Sequence, residues 1–123
     1  MEYVGIVLIS HSKKVAEGVK EIIQQVIRDV PVETAGGTDD GEIGTSIEKI
    51  NGAIDRAYSS KGVLLFYDLG SAKMNAELAI ELVKKEKIEL VEAPLVEGSY
   101  VAAVESSIGK DLETIIETIN KEF

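Results

Sequence analysis

The sequence contains no cysteine, which excludes disulfide bonds, a thiolate nucleophile and any cysteine-based metal site. It also lacks tryptophan and has only two prolines and a single histidine, His11. No apolar run approaches the roughly 18 residues of a membrane-spanning helix, and the first residues lack the basic start of a secretory signal. We therefore expect a soluble, cytoplasmic protein without a membrane partner.

Basic residues are too few and too scattered to form a nucleic-acid-binding stripe. The chain has 13 lysines and arginines against 22 aspartates and glutamates, so its formal net charge is −9. A surface of this sign repels a phosphate backbone. We therefore exclude nucleic acid as a partner, and the charge favours a basic protein surface instead.

The apolar pattern predicts one α/β domain over residues 1–123. At this length, a hydrophobic content of 45% is enough to build one buried core. The first strand is an almost unbroken apolar run, as in a parallel sheet that is covered on both faces. The predicted strands cover residues 3–10, 32–35, 63–67 and 88–91, and the predicted helices cover approximately 13–28, 45–57, 71–85, 100–108 and 112–119. This alternation predicts a mainly parallel central sheet with helices on both faces.

Individual residues lead to finer expectations. Ser12 and Ser71 are placed to cap the first and third helices, and Tyr67 and Met74 are expected in the core. Gly18, inside the first helix, indicates either close packing or a tolerated defect. The buried face of that helix is predicted from apolar residues three and four positions apart, namely Val15, Val19, Ile22, Ile23 and Val26.

The residues that could carry chemistry follow the first and third strands. In open parallel sheets, ligands bind beyond the carboxyl ends of the strands, where the winding direction reverses. If these two strands are neighbours, His11 meets Asp68 there. An aspartate that accepts a hydrogen bond from one imidazole nitrogen leaves the other nitrogen free as a nucleophile. Helix N-termini and a glycine-rich loop supply donors for a phosphoryl group, so the candidate phosphate-binding residues are Ser12, Gly37, Thr38, Gly70 and Ser71.

Other chemistries fit these residues poorly. A receiver domain needs an acidic pair after its first strand to hold magnesium, whereas this chain has serine, histidine and serine there. A serine hydrolase built on Ser71 lacks the GxSxG turn. The loop at residues 36–41 lacks the GxxxxGK[ST] pattern of a nucleotide-binding loop. The single histidine does not define a metal site, because the carboxylates do not have the spacing of metal ligands. We expect no metal and no cofactor on this chain.

The chain contains four notable sequence blocks at residues 5–12, 35–38, 43–46 and 67–72. Together they resemble the mannose-class IIA family of the bacterial phosphotransferase system. Within it they are most similar to the phosphotransfer subunits of phosphoenolpyruvate-dependent dihydroxyacetone kinases. The sugar-transport members tend to have Gly-Gly-Ser-Pro after the aspartate, whereas residues 69–75 here read LGSAKMN, which favours the dihydroxyacetone branch.

The resemblance implies a phosphotransferase component in which His11 accepts a phosphoryl group from the carrier HPr, on Nε2, while Asp68 holds the other ring nitrogen. The group then passes to ADP on the nucleotide-binding subunit of the kinase. The resemblance also implies a homodimer of flavodoxin-like or mannose-IIA topology, in which an edge strand can be antiparallel. Because the chain ends at Phe123 without a further carrier-like domain, we expect a separate protein as the phosphoryl donor.

Two alternatives stay open at this point. The first is a sugar-transport IIA domain that passes its phosphoryl group to a IIB domain. The second is a regulatory module that binds a partner without undergoing phosphorylation.

Overall fold

The structure, a computed structural model, describes residues 2–123 as alternating strands and helices followed by two final helices. The strands are β1 (Gly5–Ser10), β2 (Val32–Gly36), β3 (Val63–Tyr67) and β4 (Ile88–Leu90). The helices are α1 (Lys13–Gln24), α2 (Ile47–Ala57), α3 (Ser71–Val83), α4 (Leu95–Ser107) and α5 (Leu112–Glu122). The predicted α/β class is confirmed.

The four strands form one parallel sheet in the order β2-β1-β3-β4. Strand β1 therefore lies between β2 and β3, and the winding direction reverses at β1, as expected from the sequence. All strand pairs within residues 2–123 are parallel, so the described sheet has no antiparallel edge strand. The register aligns Ile9 of β1 with Tyr67 of β3, which brings the residues after both strands to the same edge.

Strand β1 supplies both layers of the core, because helices cover the sheet on both faces. All six of its residues are buried. Ile6 and Leu8 pack with residues of α1, α4 and α5, whereas Val7 and Ile9 pack with residues of α2 and α3. Successive side chains of a strand point to opposite faces, so one uninterrupted apolar run anchors two helical layers.

Two helix boundaries differ from the sequence prediction by four residues or more. Helix α1 ends at Gln24 rather than near residue 28, because the backbone leaves the helix through a turn in which the Ile23 carbonyl accepts from two later amides. Helix α4 begins at Leu95 rather than residue 100. Gly98 does not break this helix. A Cβ on Gly98 would lie 2.8 Å from the Ala93 side chain and 3.3 Å from the Phe66 ring, so this glycine permits close packing.

Two predictions of buried side chains are wrong, one in part and one entirely, for related reasons. On α1, Val19 and Ile23 are buried as predicted, and so is Ala16. In contrast, Val15 and Ile22 are exposed, as is Val26 beyond the end of the helix. On α3, the alanines at positions 72, 76 and 79 pack against the sheet, and Met74 is 69% exposed. Small residues let a helix approach the sheet closely. A prediction that gives most weight to large apolar side chains therefore selects the wrong face of the helix.

We expect Gly5→Ala and Gly18→Ala to have opposite effects on stability. A Cβ on Gly5 would overlap the backbone carbonyl of Ala57, so the variant should lose about 1–3 kcal/mol of unfolding free energy. A Cβ on Gly18 meets nothing within 4 Å, so this substitution in α1 should add about 0.5–1 kcal/mol. Urea denaturation of both variants measures the difference, and equal effects would contradict the packing described here.

Candidate active site

The parallel pairing of β1 and β3 places His11 beside Asp68. The Nδ1 atom of His11 lies 3.0 Å from Oδ1 of Asp68. The two side chains are 19% and 20% exposed, so the pair is sheltered but remains open to an approaching molecule. The sequence prediction that these two residues meet at the carboxyl edge of the sheet is therefore confirmed.

Four hydrogen bonds fix the carboxylate of Asp68. Oδ2 accepts from the Ser10 hydroxyl at 2.8 Å and from the His11 amide at 2.9 Å. Oδ1 accepts from the Leu69 amide at 2.7 Å and faces the His11 ring. Partial burial raises the pKa of Asp68, but the hydrogen bonds from the backbone and ring of His11, from Ser10 and from Leu69 outweigh it and lower the pKa below its usual 3.8.

The charge on Asp68 determines the tautomer of His11. An ionised carboxylate only accepts hydrogen bonds, so the proton of the neutral ring is on Nδ1, which donates to Asp68. The Nε2 atom then carries no proton and can accept a hydrogen bond. It lies 2.8 Å from the Ser71 hydroxyl, which donates to it. Because Ser71 is exposed, the nucleophilic nitrogen faces the outside of the molecule.

Ser10 is a site residue that the sequence analysis missed. Its side chain is fully buried, donates to Asp68 and accepts from the Ser12 amide at 3.0 Å. This hydroxyl therefore connects the start of α1 to the carboxylate. The sequence does contain a signal for this role, because Ser10 is a polar residue at the end of a strand that is otherwise apolar on both faces. A polar side chain buried in such a strand needs a hydrogen-bond partner.

The two serines predicted as helix caps behave differently. Ser12 caps α1 as predicted, because its hydroxyl accepts from the Val15 amide at 3.3 Å. The prediction that Ser71 caps α3 is wrong. Gly70 occupies the cap position with helical backbone angles, and Ser71 is the first residue of the helix. The Ser71 hydroxyl is consequently available to the His11 ring instead of to the helix backbone.

Four of the five candidate phosphate-binding residues fall into two groups. The amides of Gly37 and Thr38 donate to the carbonyls of Ser10 and Glu42 at 3.0 and 2.9 Å, so they shape the loop beside the site and are not free donors. In contrast, among residues 2–123 the amides of Gly70 and Ser71 have no acceptor. They lie at the N-terminus of α3, where backbone donors and the helix dipole favour an anion.

The described part of the chain contains no group of three or more histidine, aspartate or glutamate residues that could hold a metal ion. None of the helices within residues 2–123 is both long and apolar enough to cross a lipid bilayer.

We expect the stabilising effect of Asp68 to disappear in acid. Folding lowers the pKa of Asp68, so its ionised carboxylate contributes fully to the free energy of unfolding above pH values near 3.8, the pKa in the unfolded chain. This contribution is lost as the pH falls through the lower pKa of the folded protein. The difference in unfolding free energy between the wild type and Asp68→Asn should therefore keep its full size above about pH 5 and narrow below about pH 4. Denaturant titrations at several pH values measure it, and a difference that widens in acid would contradict the assignment.

Comparison with known proteins gives one family match and several similar proteins. Residues 5–116 match the EIIA-man family model, described as PTS system fructose IIA component. The PEP-dependent dihydroxyacetone kinase 1, phosphoryl donor subunit DhaM, of Listeria innocua is 49% identical over 90% of this chain and 88% of its own length. The PTS-dependent dihydroxyacetone kinase, phosphotransferase subunit DhaM, of Lactococcus lactis is 38% identical over 95% of this chain and 94% of its own.

A solved structure is also similar along nearly the whole chain. The crystal structure of the unknown function protein EF1359 superposes with a TM-score of 0.87 at 34% identity. The superposition covers 98% of this chain and 94% of that one.

Proposed function

This chain belongs to the EIIA-man family, and we propose that it is a cytoplasmic phosphoryl donor subunit of a dihydroxyacetone kinase, with residues 1–123 forming one phosphocarrier domain. The names of the two similar subunits support the kinase assignment. The observation that carries the chemistry is the His11 ring, whose Nδ1 bonds to Asp68 at 3.0 Å while Nε2 faces outward. Such a ring can be phosphorylated repeatedly without changing its tautomer.

In the first step of the proposed cycle, His11 accepts the phosphoryl group from HPr. Nε2 attacks the phosphorus atom, the Nε2–P bond forms, and the phosphorus–nitrogen bond of the donor histidine breaks with its electron pair left on that histidine. The proton on Nδ1 stays in place. Attack makes the His11 ring cationic, and the ionised Asp68 compensates this charge at 3.0 Å.

In the second step the phosphoryl group moves to ADP on the nucleotide-binding subunit. A terminal oxygen of the β-phosphate attacks phosphorus, the Nε2–P bond breaks and its electrons return to Nε2. The ring is then neutral again, with its proton still on Nδ1. Because the chain only stores the group, it needs no nucleotide site and no cofactor of its own.

The surrounding residues have distinct proposed roles. The Ser71 hydroxyl, 2.8 Å from Nε2 in the free protein, turns to donate to a phosphoryl oxygen, and the amides of Gly70 and Ser71 donate to the same group. Ser12 sets the start of α1 beside the ring through its cap. Gly37 and Thr38 support the site by shaping the adjacent loop.

We expect His11 to be the only residue that HPr labels. Incubation with phosphoenolpyruvate, enzyme I and HPr should give a label that is stable in alkali and labile in acid, and His11→Ala should take up none. Asp68→Asn should be labelled 10- to 100-fold more slowly, because a charge-assisted hydrogen bond that strengthens during attack contributes about 1.5–3 kcal/mol. Labelling of His11→Ala, or labelling of Asp68→Asn at the wild-type rate, would contradict the mechanism.

A second candidate function follows from the family description, which names a fructose IIA component. In that case the acceptor would be a IIB domain. We expect the phosphorylated chain to lose its label to the ADP-loaded nucleotide-binding subunit and to keep it when mixed with a IIB domain. Measurement of the remaining label on His11 after each addition separates the two functions, and transfer to IIB alone would favour sugar transport.

We also propose that the chain is a homodimer. Within residues 2–123 the outer edge of β4 is unpaired, and Leu78 and Leu82 on the adjacent α3 are 41% and 62% exposed. Unpaired strand edges and apolar helix faces favour association.

We expect light scattering to give twice the mass of one chain for the wild type and a single-chain mass for Leu82→Glu. As a control, Ile108→Glu should remain dimeric, since Ile108 is similarly exposed, at 65%, but lies at the end of α4. A wild-type protein that is monomeric at every concentration would overturn this part of the proposal.

A further inference from the structure

A groove with apolar walls lies between α1 and α4 and is open to solvent. Its volume is about 600 Å³. Scattered exposed apolar residues are ordinary, but several that converge on one concave surface indicate a binding surface. We call it the α1–α4 groove and define it by the apolar and aromatic side chains that line it, namely Ile22, Val26, Val96, Tyr100, Val101 and Phe123.

The fold leaves the side chains of this groove partly uncovered. Ile22 and Val26 are 50% and 63% exposed, and Val96 on the opposite wall is 39% exposed. Phe123 is 48% exposed, and Tyr100 is half-buried. A partner that covers these side chains removes apolar area from water, which favours association.

The groove is remote from the reactive histidine. Ile22 lies ten residues after Ser12, the cap of α1, and a helix rises about 1.5 Å per residue, so roughly 15 Å of helix separate Ile22 from the end of α1 beside His11. The groove also shares no residue with the surface of β4 and α3 that we propose for the dimer. An occupant of the groove therefore leaves both His11 and the proposed dimer surface uncovered.

The shape of the groove favours a helical occupant. Ile22 and Val26 are four residues apart at the C-terminal end of α1. Val96 and Tyr100 are four residues apart on α4. Each wall therefore presents a ridge of apolar side chains, and a third helix can pack its own ridge between them. An extended peptide would gain less, because the side of a helix has no unpaired backbone edge for strand addition.

The charged side chains of the groove are acidic. Glu97 and Glu122 line it, whereas no lysine or arginine of residues 2–123 does. Neither carboxylate forms a salt bridge within that part of the chain, so both are available to a basic partner. A second copy of this chain, with its net charge of −9, and an anionic lipid surface would both be repelled.

We infer that the α1–α4 groove is an anchoring site for a protein partner that presents a basic amphipathic helix. The apolar face of this helix fills the groove, and its lysine or arginine side chains lie beside Glu97 and Glu122. Because the groove is remote from His11, the partner stays bound while the histidine gains and loses its phosphoryl group. This anchoring function is additional to the proposed phosphoryl transfer and does not depend on it.

Three synthetic peptides test the shape and the charge of the occupant separately. The first peptide has leucines on one face of a helix and lysines on both sides of that face. The second has the same composition, in an order that distributes the leucines around the helix, and the third has glutamate in place of lysine. We expect the first peptide to bind the full chain and to shift the NMR signals of Ile22, Val26 and Val96. The other two should bind at least about tenfold more weakly. Equal affinity of any two of the peptides would overturn the inference.

Substitutions in the groove locate the bound peptide. Ile22→Ser and Val26→Ser should each weaken the binding of the first peptide about tenfold, as is usual for a central interface residue. Ile108→Ser is the matched control, because Ile108 is 65% exposed and lies at the end of α4, outside the groove. Its affinity should equal that of the wild type. Unchanged affinity of the groove variants, or an equal loss in Ile108→Ser, would overturn the inference.

The charge of the groove is tested by ionic strength. The affinity of the wild type for the first peptide should fall as salt is added, because salt screens the attraction between the carboxylates and lysine. The double variant Glu97→Gln and Glu122→Gln should bind more weakly at low salt and depend less on salt. An unchanged dependence would overturn the assignment of a basic partner to this groove.

Other occupants predict different results. Light scattering should give the same mass for Ile22→Ser as for the wild type, and a lower mass would show that a second copy occupies the groove. Vesicles of anionic phospholipid should not sediment with the wild-type chain, and sedimentation that Ile22→Ser abolishes would show that a membrane occupies it. Either result would overturn the inference.

A final measurement separates anchoring from phosphoryl transfer. A saturating amount of the first peptide should leave the rate at which HPr labels His11 unchanged, and a blocked reaction would overturn the inference. If HPr labels no protein at all while the peptide still binds in the groove, the proposed function fails and the anchoring site stands.

Discussion

The hydrogen bond from Nδ1 of His11 to Asp68 is the interaction on which the rest of the site depends. It assigns the ring proton to the inner nitrogen and leaves the outer nitrogen as a nucleophile. In the proposed mechanism it also places a negative charge where the ring becomes positive during phosphoryl transfer. Without it, the ring could take either tautomer, and Nε2 would be protonated and unreactive for part of the time.

This bond in turn depends on the sheet. Asp68 and His11 are 57 residues apart in sequence, and only the parallel pairing of β1 with β3 brings them to one edge. The buried hydroxyl of Ser10 and the amides of His11 and Leu69 then fix the carboxylate. These donors lower the pKa of Asp68 and keep it ionised. The apolar run of β1 is therefore also the means by which the His11 ring and the Asp68 carboxylate are aligned.

The sequence was sufficient to predict the sheet and the central pair of the site. An apolar run as unbroken as β1 is typical of a strand in a parallel sheet that is covered on both faces. A histidine after the first strand and an aspartate after the third strand must then converge if those strands are neighbours. The roles of Ser71 and Ser10 were harder to predict. Whether a serine at a helix start caps the helix or turns to another loop depends on the backbone angles of the preceding residue, here Gly70, and on tertiary contacts. Part of the buried face of α1 and the burial of Met74 on α3 were predicted wrongly, because alanines pack on the sheet where larger residues were expected.

The tautomer of His11 is the most direct test of this account. Because the chain has a single histidine, a nitrogen-15 NMR spectrum of the labelled protein contains the signals of only one imidazole ring. In alkaline solution, where imidazole is neutral, Nδ1 should have the directly bonded proton and Nε2 should have none. A spectrum in which Nε2 carries the proton would contradict the central role of Asp68.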